Sequence, residues 1–151
     1  MTDAQQSLWE KEESVEATAQ PVFAFRYWMS IENMAADPGI ERVETDGPYR
    51  DRLGMRGTTH LVGGGTTHWV VAEVEPERRA VIDVALSTAT LRFELRVDER
   101  AGGGSVLTQR VSLFGPNAAE YLAGVEAGFA TSLRDGMRAV RDRIDEAARH
   151  Q

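Results

Sequence analysis

The sequence predicts one α+β domain in which an antiparallel sheet of about seven strands packs against a long C-terminal helix. Three observations lead to this fold class. Apolar residues recur at helical spacing over residues 117–148, and residues 40–114 divide into six short strand-like segments separated by turn residues. A charged segment near the N-terminus, residues 8–16, alternates weakly as a seventh strand would.

The C-terminal helix is the clearest element. Gly115-Pro116 ends the preceding strand, and Asn117 followed by Glu120 has the pattern of a capping box. The apolar residues that follow recur every three or four positions, which indicates one buried face: Leu122, Val125, Phe129, Leu133, Met137, Val140 and Ile144. We therefore predict one uninterrupted helix over residues 117–148, covered on one side by the sheet.

The remaining elements follow from turn and cap residues. Residues 1–7 are polar, and we expect them to be disordered, with a single domain over residues 8–151. After the first strand, Thr18 and Pro21 are typical of a helix start, and Ser30 can cap a second short helix. The predicted elements between the first strand and the last helix are helices at 22–29 and 31–36 and strands at 40–46, 54–62, 66–75, 80–87, 90–98 and 105–114.

Composition narrows the classes of function. The chain has 151 residues, a formal net charge of −7 and no cysteine. The acidic balance opposes nucleic-acid binding, and the lack of cysteine excludes disulfides and thiolate chemistry. The N-terminus lacks the features of a signal peptide, and no apolar run is long enough to span a membrane, so we expect a cytoplasmic protein. Nothing in the sequence indicates a cofactor, and both a monomer and a homodimer stay open.

Motifs for catalysis or metal binding are weak. His60 and His68 flank a triple-glycine turn and can reach neighbouring strands, but no third ligand is evident, so no metal site is predicted. Neither a nucleophile elbow nor a phosphate-binding loop is present. Asp83 between two apolar residues is an acid-base candidate only if it faces inward, and a solvated position is favoured. The catalytic residues, if any, are therefore unknown.

Particular segments carry a family resemblance. They are Val15-Glu-Ala17 leading into Pro21-Val-Phe23-Ala24, Ile31-Glu-Asn-Met34, Val74-Glu-Pro76-Glu-Arg-Arg79, and Gly128-Phe129 with Leu133, Met137 and Ile144. In this order the chain resembles the START-like (SRPBCC) superfamily of polyketide cyclases, lipid-transfer proteins and pollen allergens over nearly its whole length. The resemblance implies a helix-grip fold: a curved antiparallel sheet around the long helix, with a cavity between them that commonly holds a small hydrophobic molecule.

The residues themselves also suggest a cavity. The first half of the C-terminal helix is rich in alanine and glycine, which leaves volume there, although glycines such as Gly124 and Gly128 also permit close backbone approach. Gln109 lies between Leu107 and Val111 on the apolar face of its strand and needs a partner in the protein, in water or in a ligand. The candidate cavity residues are Trp28, Met55, Thr59, Trp69, Phe93, Gln109, Tyr121, Leu122, Val125 and Phe129.

Three function classes remain at this point. The leading hypothesis is a binding protein for a small apolar or aromatic molecule. The first alternative is an aromatase/cyclase-type enzyme in which polar groups such as Gln109, Thr59 and Tyr121 steer proton transfer. The second is an interaction module like the chaperone activators of the same superfamily. It ranks lowest, because no strand face shows a large apolar patch.

Overall fold

The computed structural model describes residues 6–151, so the first five residues of the predicted disordered segment 1–7 lie outside the described residues. The elements follow one another in the predicted order, except that a 3-10 turn and two helices replace the single predicted C-terminal helix. They are β1 (Trp9–Ala17), α1 (Pro21–Met29), α2 (Ile31–Ala35), β2 (Ile40–Thr45), β3 (Arg56–Leu61), β4 (Thr66–Glu75), β5 (Arg79–Ala85), β6 (Thr90–Glu99), β7 (Ser105–Phe114), a 3-10 turn (Ala118–Tyr121), α3 (Leu122–Phe129) and α4 (Ser132–Arg149).

The seven strands form one antiparallel sheet in the order β1-β7-β6-β5-β4-β3-β2. Strands β2 to β7 are joined by successive hairpins. Strand β7, the last in the chain, pairs with β1, the first, along the whole length of β1, from Trp9 opposite Leu113 to Ala17 opposite Ser105. The register shifts within β2 between Ile40 and Arg42 and within β4 between Val71 and Glu73. The predicted fold class, a curved seven-stranded sheet with a C-terminal helix and two short helices after the first strand, is confirmed.

Strand β6 shows how the sequence assigns the two faces of the sheet. Its apolar residues Leu91, Leu95 and Val97 are buried on the inner face, while Arg92 and Arg96 lie on the outer face. Ion pairs cover that outer face: Arg92 Nε lies 2.7 Å from Asp83 Oδ1, and Arg96 Nε lies 2.9 Å from Asp98 Oδ2. Asp83 is therefore a paired residue of the outer face and takes no part in the apolar interior.

The prediction of one uninterrupted C-terminal helix over 117–148 is wrong. The helical region divides into the 3-10 turn, α3 and α4, with a break at Ala130 and Thr131. At the break the hydroxyl of Ser132 donates to the carbonyl of Gly128. The physical reason is composition: Gly124 and Gly128 lower the helix propensity of α3, and Thr131 and Ser132 at the break are weak helix formers whose hydroxyls can bond the backbone.

The predicted caps have a mixed outcome. Asn117 precedes the 3-10 turn, but its side chain makes no capping hydrogen bond, so the predicted capping box with Glu120 is wrong. Helix α1 begins at Pro21 after Gln20, which likewise makes no side-chain cap, and Thr18 does not fill that role. The Ser30 cap is confirmed, because its Oγ accepts a hydrogen bond of 3.2 Å from the backbone N–H of Asn33.

A buried carboxylate connects α4 to the turn between β1 and α1. Asp145 is 8% exposed and accepts hydrogen bonds from the backbone N–H groups of Thr18, at 3.1 Å, and Ala19, at 3.0 Å. Nearby, the hydroxyl of Ser105 on β7 donates to the carbonyl of Ala19 at 2.6 Å. Backbone groups that would lose water in this buried corner are thus satisfied by side chains from two other elements. These bonds fix α4 against the β1 and β7 end of the sheet.

No described residue belongs to a helix that is long and apolar enough to cross a membrane.

We predict that Asp145→Ala lowers the free energy of unfolding by about 2 kcal/mol, because the buried N–H groups of Thr18 and Ala19 would lose their acceptor. Urea unfolding followed by circular dichroism measures this change. Asp142→Ala is the matched control: it removes an exposed carboxylate from the same helix and should change the free energy by less than about 0.5 kcal/mol. Equal midpoints for the two variants would contradict the anchoring role of Asp145.

Candidate functional site

A cavity of about 600 Å³ lies between the inner face of the sheet and the helices α1, α2 and α4. Its floor comes from strands β3 to β7 and its roof from one face of α4 with the end of α3. The lining residues are Tyr27, Trp28, Asn33, Met34, Asp37, Gly39, Ile40, Arg50, Thr59, Leu61, Thr67, Trp69, Ile82, Val84, Leu91, Phe93, Leu95, Gln109, Phe129, Ser132, Leu133, Gly136, Val140 and Arg143.

The lining settles which faces of β4 and β5 point inward, a question that the sequence leaves open. On β4 the inward face carries Thr67 and Trp69, and on β5 it carries Ile82 and Val84. Trp69 lies opposite Val84 in the strand register. The opposite face of β5, which carries Asp83, points outward. The cavity floor is therefore mostly apolar, as a small-molecule pocket requires.

Aromatic groups shape two walls of the cavity. The rings of Phe93 on β6 and Phe129 on α3 meet edge to face, with centroids 5.8 Å apart. Trp69 is 4% exposed, and its indole Nε1–H donates to the hydroxyl of Thr59 at 3.0 Å. This bond fixes the indole orientation, since a buried indole N–H needs an acceptor.

Gly57 makes the position of Trp69 possible. The two residues lie opposite each other in the β3–β4 register, and a Cβ atom at Gly57 would lie 2.0 Å from Cζ2 of the indole. The indole thus occupies the space that a side chain at position 57 would fill, a close approach that only glycine permits. This contact was not anticipated, although a glycine inside a strand is the sequence signal for it.

Six of the ten candidate cavity residues line the cavity. They are Trp28, Thr59, Trp69, Phe93, Gln109 and Phe129. Their assignment to ligand binding stays a prediction. Within residues 6–151 the side-chain amide of Gln109 makes no hydrogen bond to another residue, so of the three kinds of partner open to it, a protein group is not used.

The other four candidates lie away from the cavity. Met55 is 6% exposed and packs in the hydrophobic core, and the hydroxyl of Tyr121 accepts a hydrogen bond of 3.4 Å from the backbone N–H of Thr88. Leu122 and Val125 belong to α3, which packs on β1. The break after α3 is the physical reason: the roof comes from Ser132, Leu133, Gly136, Val140 and Arg143 of α4, farther along the chain than predicted.

Arg50 is a cavity residue that the sequence analysis missed. The segment Pro48–Arg50 pairs with the end of α1, because Ile31 N–H donates to Pro48 O at 2.8 Å and Arg50 N–H donates to Met29 O at 2.9 Å. Arg50 is thereby held beneath α1, where its Nη2 donates to the carbonyl of Trp28 at 2.6 Å. The polar loop around it gives no periodic pattern, so nothing in the sequence marks this arginine as inward-facing.

The guanidinium of Arg50 is buried and incompletely satisfied. Its Nε has no hydrogen-bond partner among the described residues. Burial lowers the pKa of Arg50 to about 10, because desolvation disfavours the charged form. The side chain is still protonated at pH 7. Since its pKa is lower in the folded protein than in the unfolded chain, the folded state bears a cost on the order of 3 kcal/mol at neutral pH. This cost declines only as the pH rises above about 10, where the folded protein begins to release the proton.

The two central histidines lie outside the cavity. His60 Nε2 lies 2.7 Å from Glu44 Oε1, and this hydrogen bond, followed by that of Arg42, holds the pKa of Glu44 below its usual range. His68 Nδ1 lies 3.1 Å from the hydroxyl of Thr58. Within residues 6–151 no three histidine or carboxylate side chains are grouped so as to hold a metal ion.

A second depression, of about 500 Å³, lies at the other side of α4 and differs in chemistry. It is lined by charged residues that largely pair with one another, among them Arg141 with Asp142 at 2.7 Å and Arg100 with Glu16 at 3.5 Å. Asp145, which also lines it, is engaged by backbone N–H groups. Its groups are thus satisfied by the protein, and the apolar cavity is the better candidate for a ligand site.

We predict that Gly57→Ala lowers the free energy of unfolding by about 1–3 kcal/mol, because the new methyl group forces the Trp69 indole away from Thr59. The Trp69 movement should change tryptophan fluorescence. Gly124→Ala is the control: it adds a methyl group in open space on α3 and should raise stability by up to about 1 kcal/mol. Destabilisation of both variants alike would contradict the specific contact.

We predict that Arg50→Met raises the free energy of unfolding by about 1–2 kcal/mol at pH 7. The variant removes the cost of a buried charge and loses one hydrogen bond to Trp28 O, and the first effect is larger. Urea unfolding measures the difference, with Arg52→Met, an exposed neighbour in the same loop, as the control. A decrease of more than about 1 kcal/mol in Arg50→Met would show that the guanidinium is a net stabilising group.

The fold of this chain is similar to that of several solved structures. The chain superposes on SA2116 from Staphylococcus aureus, a protein of unknown function, with a TM-score of 0.69 and 13% identity over 95% of this chain and 96% of that one. It superposes on norcoclaurine synthase from Thalictrum flavum with a TM-score of 0.70 and 11% identity, over 95% and 87% of the two chains. For Ara h 8.0201 the TM-score is 0.65 and the identity 13%, over 95% and 99%. At these identities the likeness shows a shared fold.

No curated protein sequence shows significant similarity to the chain. The sequence pattern of the family described as polyketide cyclase / dehydrase and lipid transport, however, matches residues 9–145. The match extends from the first strand to the last turns of α4, and the predicted START-like resemblance is thereby confirmed. With this match, and with a helix-grip cavity of the kind described above, the chain belongs to the polyketide cyclase / dehydrase and lipid transport family.

Proposed function

We propose that the protein binds a small apolar or aromatic molecule in the cavity between the sheet and α4. The observation that carries this proposal is the lining itself: a space of about 600 Å³ lined mainly by aliphatic and aromatic side chains, with a few polar groups. Sites for small molecules commonly have this volume and this composition. The family description, which includes lipid transport, supports the same class of ligand.

The cavity suits aromatic ligands in particular. The edge-to-face pair of Phe93 and Phe129 and the fixed indole of Trp69 present ring surfaces to its interior. Ring-to-ring contacts add to the free energy gained by apolar burial alone. Gln109 supplies a polar side chain on the same floor, where an amide can orient a ligand.

An aromatase/cyclase-type enzyme is the alternative that the family description keeps open. Such an enzyme needs a group that moves a proton at the ligand. Among the described lining residues the ionisable side chains are Asp37, Tyr27, Arg50 and Arg143, and Asp37 is exposed at the rim. A guanidinium carries N–H donors and no acceptor, so neither arginine can accept a proton from the ligand. This inventory supports binding over catalysis.

An interaction module has less support. The large apolar side chains that are exposed, Leu8, Val22, Leu53 and Val62, belong to separate segments of the chain. The outer face of the sheet carries ion pairs such as Arg79 with Glu94. A protein-docking surface normally has a contiguous apolar centre.

The proposal is tested by blocking the cavity from α4. Gly136 lines the cavity, and a Cβ atom there meets nothing within 4 Å, so Gly136→Phe should fill part of the space without disturbing the helix. We expect the wild-type protein to bind 1-pyrenebutanol saturably in a fluorescence titration and Gly136→Phe to bind it at least about ten-fold more weakly, the equivalent of 1.4 kcal/mol.

Gly124→Phe is the matched control, because Gly124 is exposed on α3, does not line the cavity and also has open space around its Cβ position. It should bind the probe as the wild type does. Equal affinity of wild type and Gly136→Phe, or no saturable binding by the wild type, would contradict the proposed site.

A further inference from the structure

The half-buried arginines of this protein fall into two groups. Five have a carboxylate partner within 4.0 Å, namely Arg79, Arg92, Arg96, Arg100 and Arg141. The remaining two, Arg50 and Arg143, form no ion pair within residues 6–151, and both line the cavity. Among the half-buried arginines of residues 6–151, carboxylate pairing is thus missing only for the two that border the cavity.

The donors of Arg50 are mostly unused. A guanidinium carries five N–H donors and no acceptor. In Arg50 one bond runs from Nη2 to Trp28 O, while Nε has no partner among the described residues. Buried polar groups in folded proteins are normally hydrogen-bonded, so the unused donors of this guanidinium favour an acceptor from outside the chain. A carboxylate matches best, because its two oxygens fit the planar fork of a guanidinium.

The charge balance of the cavity points to the same partner. The protein has a formal net charge of −7, yet the charged residues that line the cavity are two arginines and one aspartate. The aspartate, Asp37, is exposed, and its Oδ1 already accepts a hydrogen bond of 2.8 Å from the backbone N–H of Gly39. The cavity therefore presents excess positive charge in an acidic protein, and a bound monocarboxylate would balance it.

We propose that the cavity ligand is an amphipathic acid, whose apolar or aromatic body lies against the Trp69, Phe93 and Phe129 walls and whose carboxylate is held by Arg50. This inference rests on the proposed function, because it names the chemical class of molecule that the same cavity takes. Arg143 contributes a second positive charge at the α4 side of the cavity. The cost of keeping Arg50 charged in the empty protein is offset when the acid binds.

The test compares two probes that differ only in the polar end. 1-Pyrenebutanoic acid and 1-pyrenebutanol have the same aromatic body and the same chain length, and both are titrated into the protein at pH 7 with fluorescence detection. We expect the wild type to bind the acid at least about ten-fold more tightly than the alcohol, since hydrogen bonds to charged groups are strong in buried sites.

The variants assign this difference to Arg50. Arg50→Met keeps an unbranched stem and removes the charge, so the affinity for the acid should fall at least about ten-fold, to the level of the alcohol, while the affinity for the alcohol changes less than about two-fold. Arg52→Met, an exposed arginine of the same loop outside the cavity, should leave both affinities unchanged. Urea unfolding of Arg50→Met verifies that the variant is folded.

Two outcomes would overturn the inference while the proposed function stands. One is equal binding of acid and alcohol by the wild type. The other is an equal loss of both probes in Arg50→Met, which would mean that Arg50 shapes the cavity without holding a carboxylate. If the wild type binds neither probe, the proposed function fails and this inference fails with it.

Discussion

The width of the sheet relative to one helix is the constraint on which this structure depends. Adjacent strands lie about 4.8 Å apart, so a helix about 10 Å across covers roughly two strands. The sheet has seven strands, and α4 lies over β1 and β7 at one end of it. The inner faces of the strands beyond β7 must therefore be covered by something else. Helices α1 and α2 cover part of this surface, and the remainder is the cavity floor.

Asp145 anchors α4 at the end of the sheet that carries β1. By accepting the N–H groups of Thr18 and Ala19, it holds the C-terminal part of α4 against the turn that follows β1. The face of α4 that carries Leu133, Gly136 and Val140 then overhangs the uncovered strands as a roof. One buried carboxylate thus links the stability of the fold to the geometry of the cavity, although it lies outside the cavity itself.

The fold was largely predictable because its elements have strong local signals. The alternation in β6 and the apolar stripe of the last helix each indicate burial on one face, and the glycine-rich turns mark where strands end. Thr59, Phe93 and Gln109 lie on the sheet floor of the cavity, on the faces that strand phase indicates, and their role in ligand binding stays a prediction. Helical periodicity shows which face of the C-terminal region is buried, but it does not show which part of that face covers the cavity. For this reason Leu122 and Val125 were expected in the lining, whereas the structure has residues of α4 there.

Arg50 illustrates what a local pattern cannot show. Its position depends on a bridge between Ser30 and Tyr49, which are far enough apart in sequence that no periodicity connects them. A charged residue in a loop with Asp51 and Arg52 reads as solvent-exposed, whereas the tertiary structure buries its guanidinium. Groups that cost stability and have no partner in the chain often serve function, and only coordinates reveal them.

The open ends of the sheet bear on how copies of this protein behave at high concentration. Within residues 6–151 the sheet does not close into a barrel, so β1 and β2 are edge strands that each pair with one neighbouring strand. Both strands expose charged side chains, including Glu10 and Glu12 on one edge and Glu41 and Glu44 on the other. Acidic side chains on an edge strand repel the same edge of a second molecule. The register shift in β2 also makes that strand irregular, so a strand of another molecule pairs with it less readily. The same acidic strands that frame the fold therefore oppose edge-to-edge aggregation.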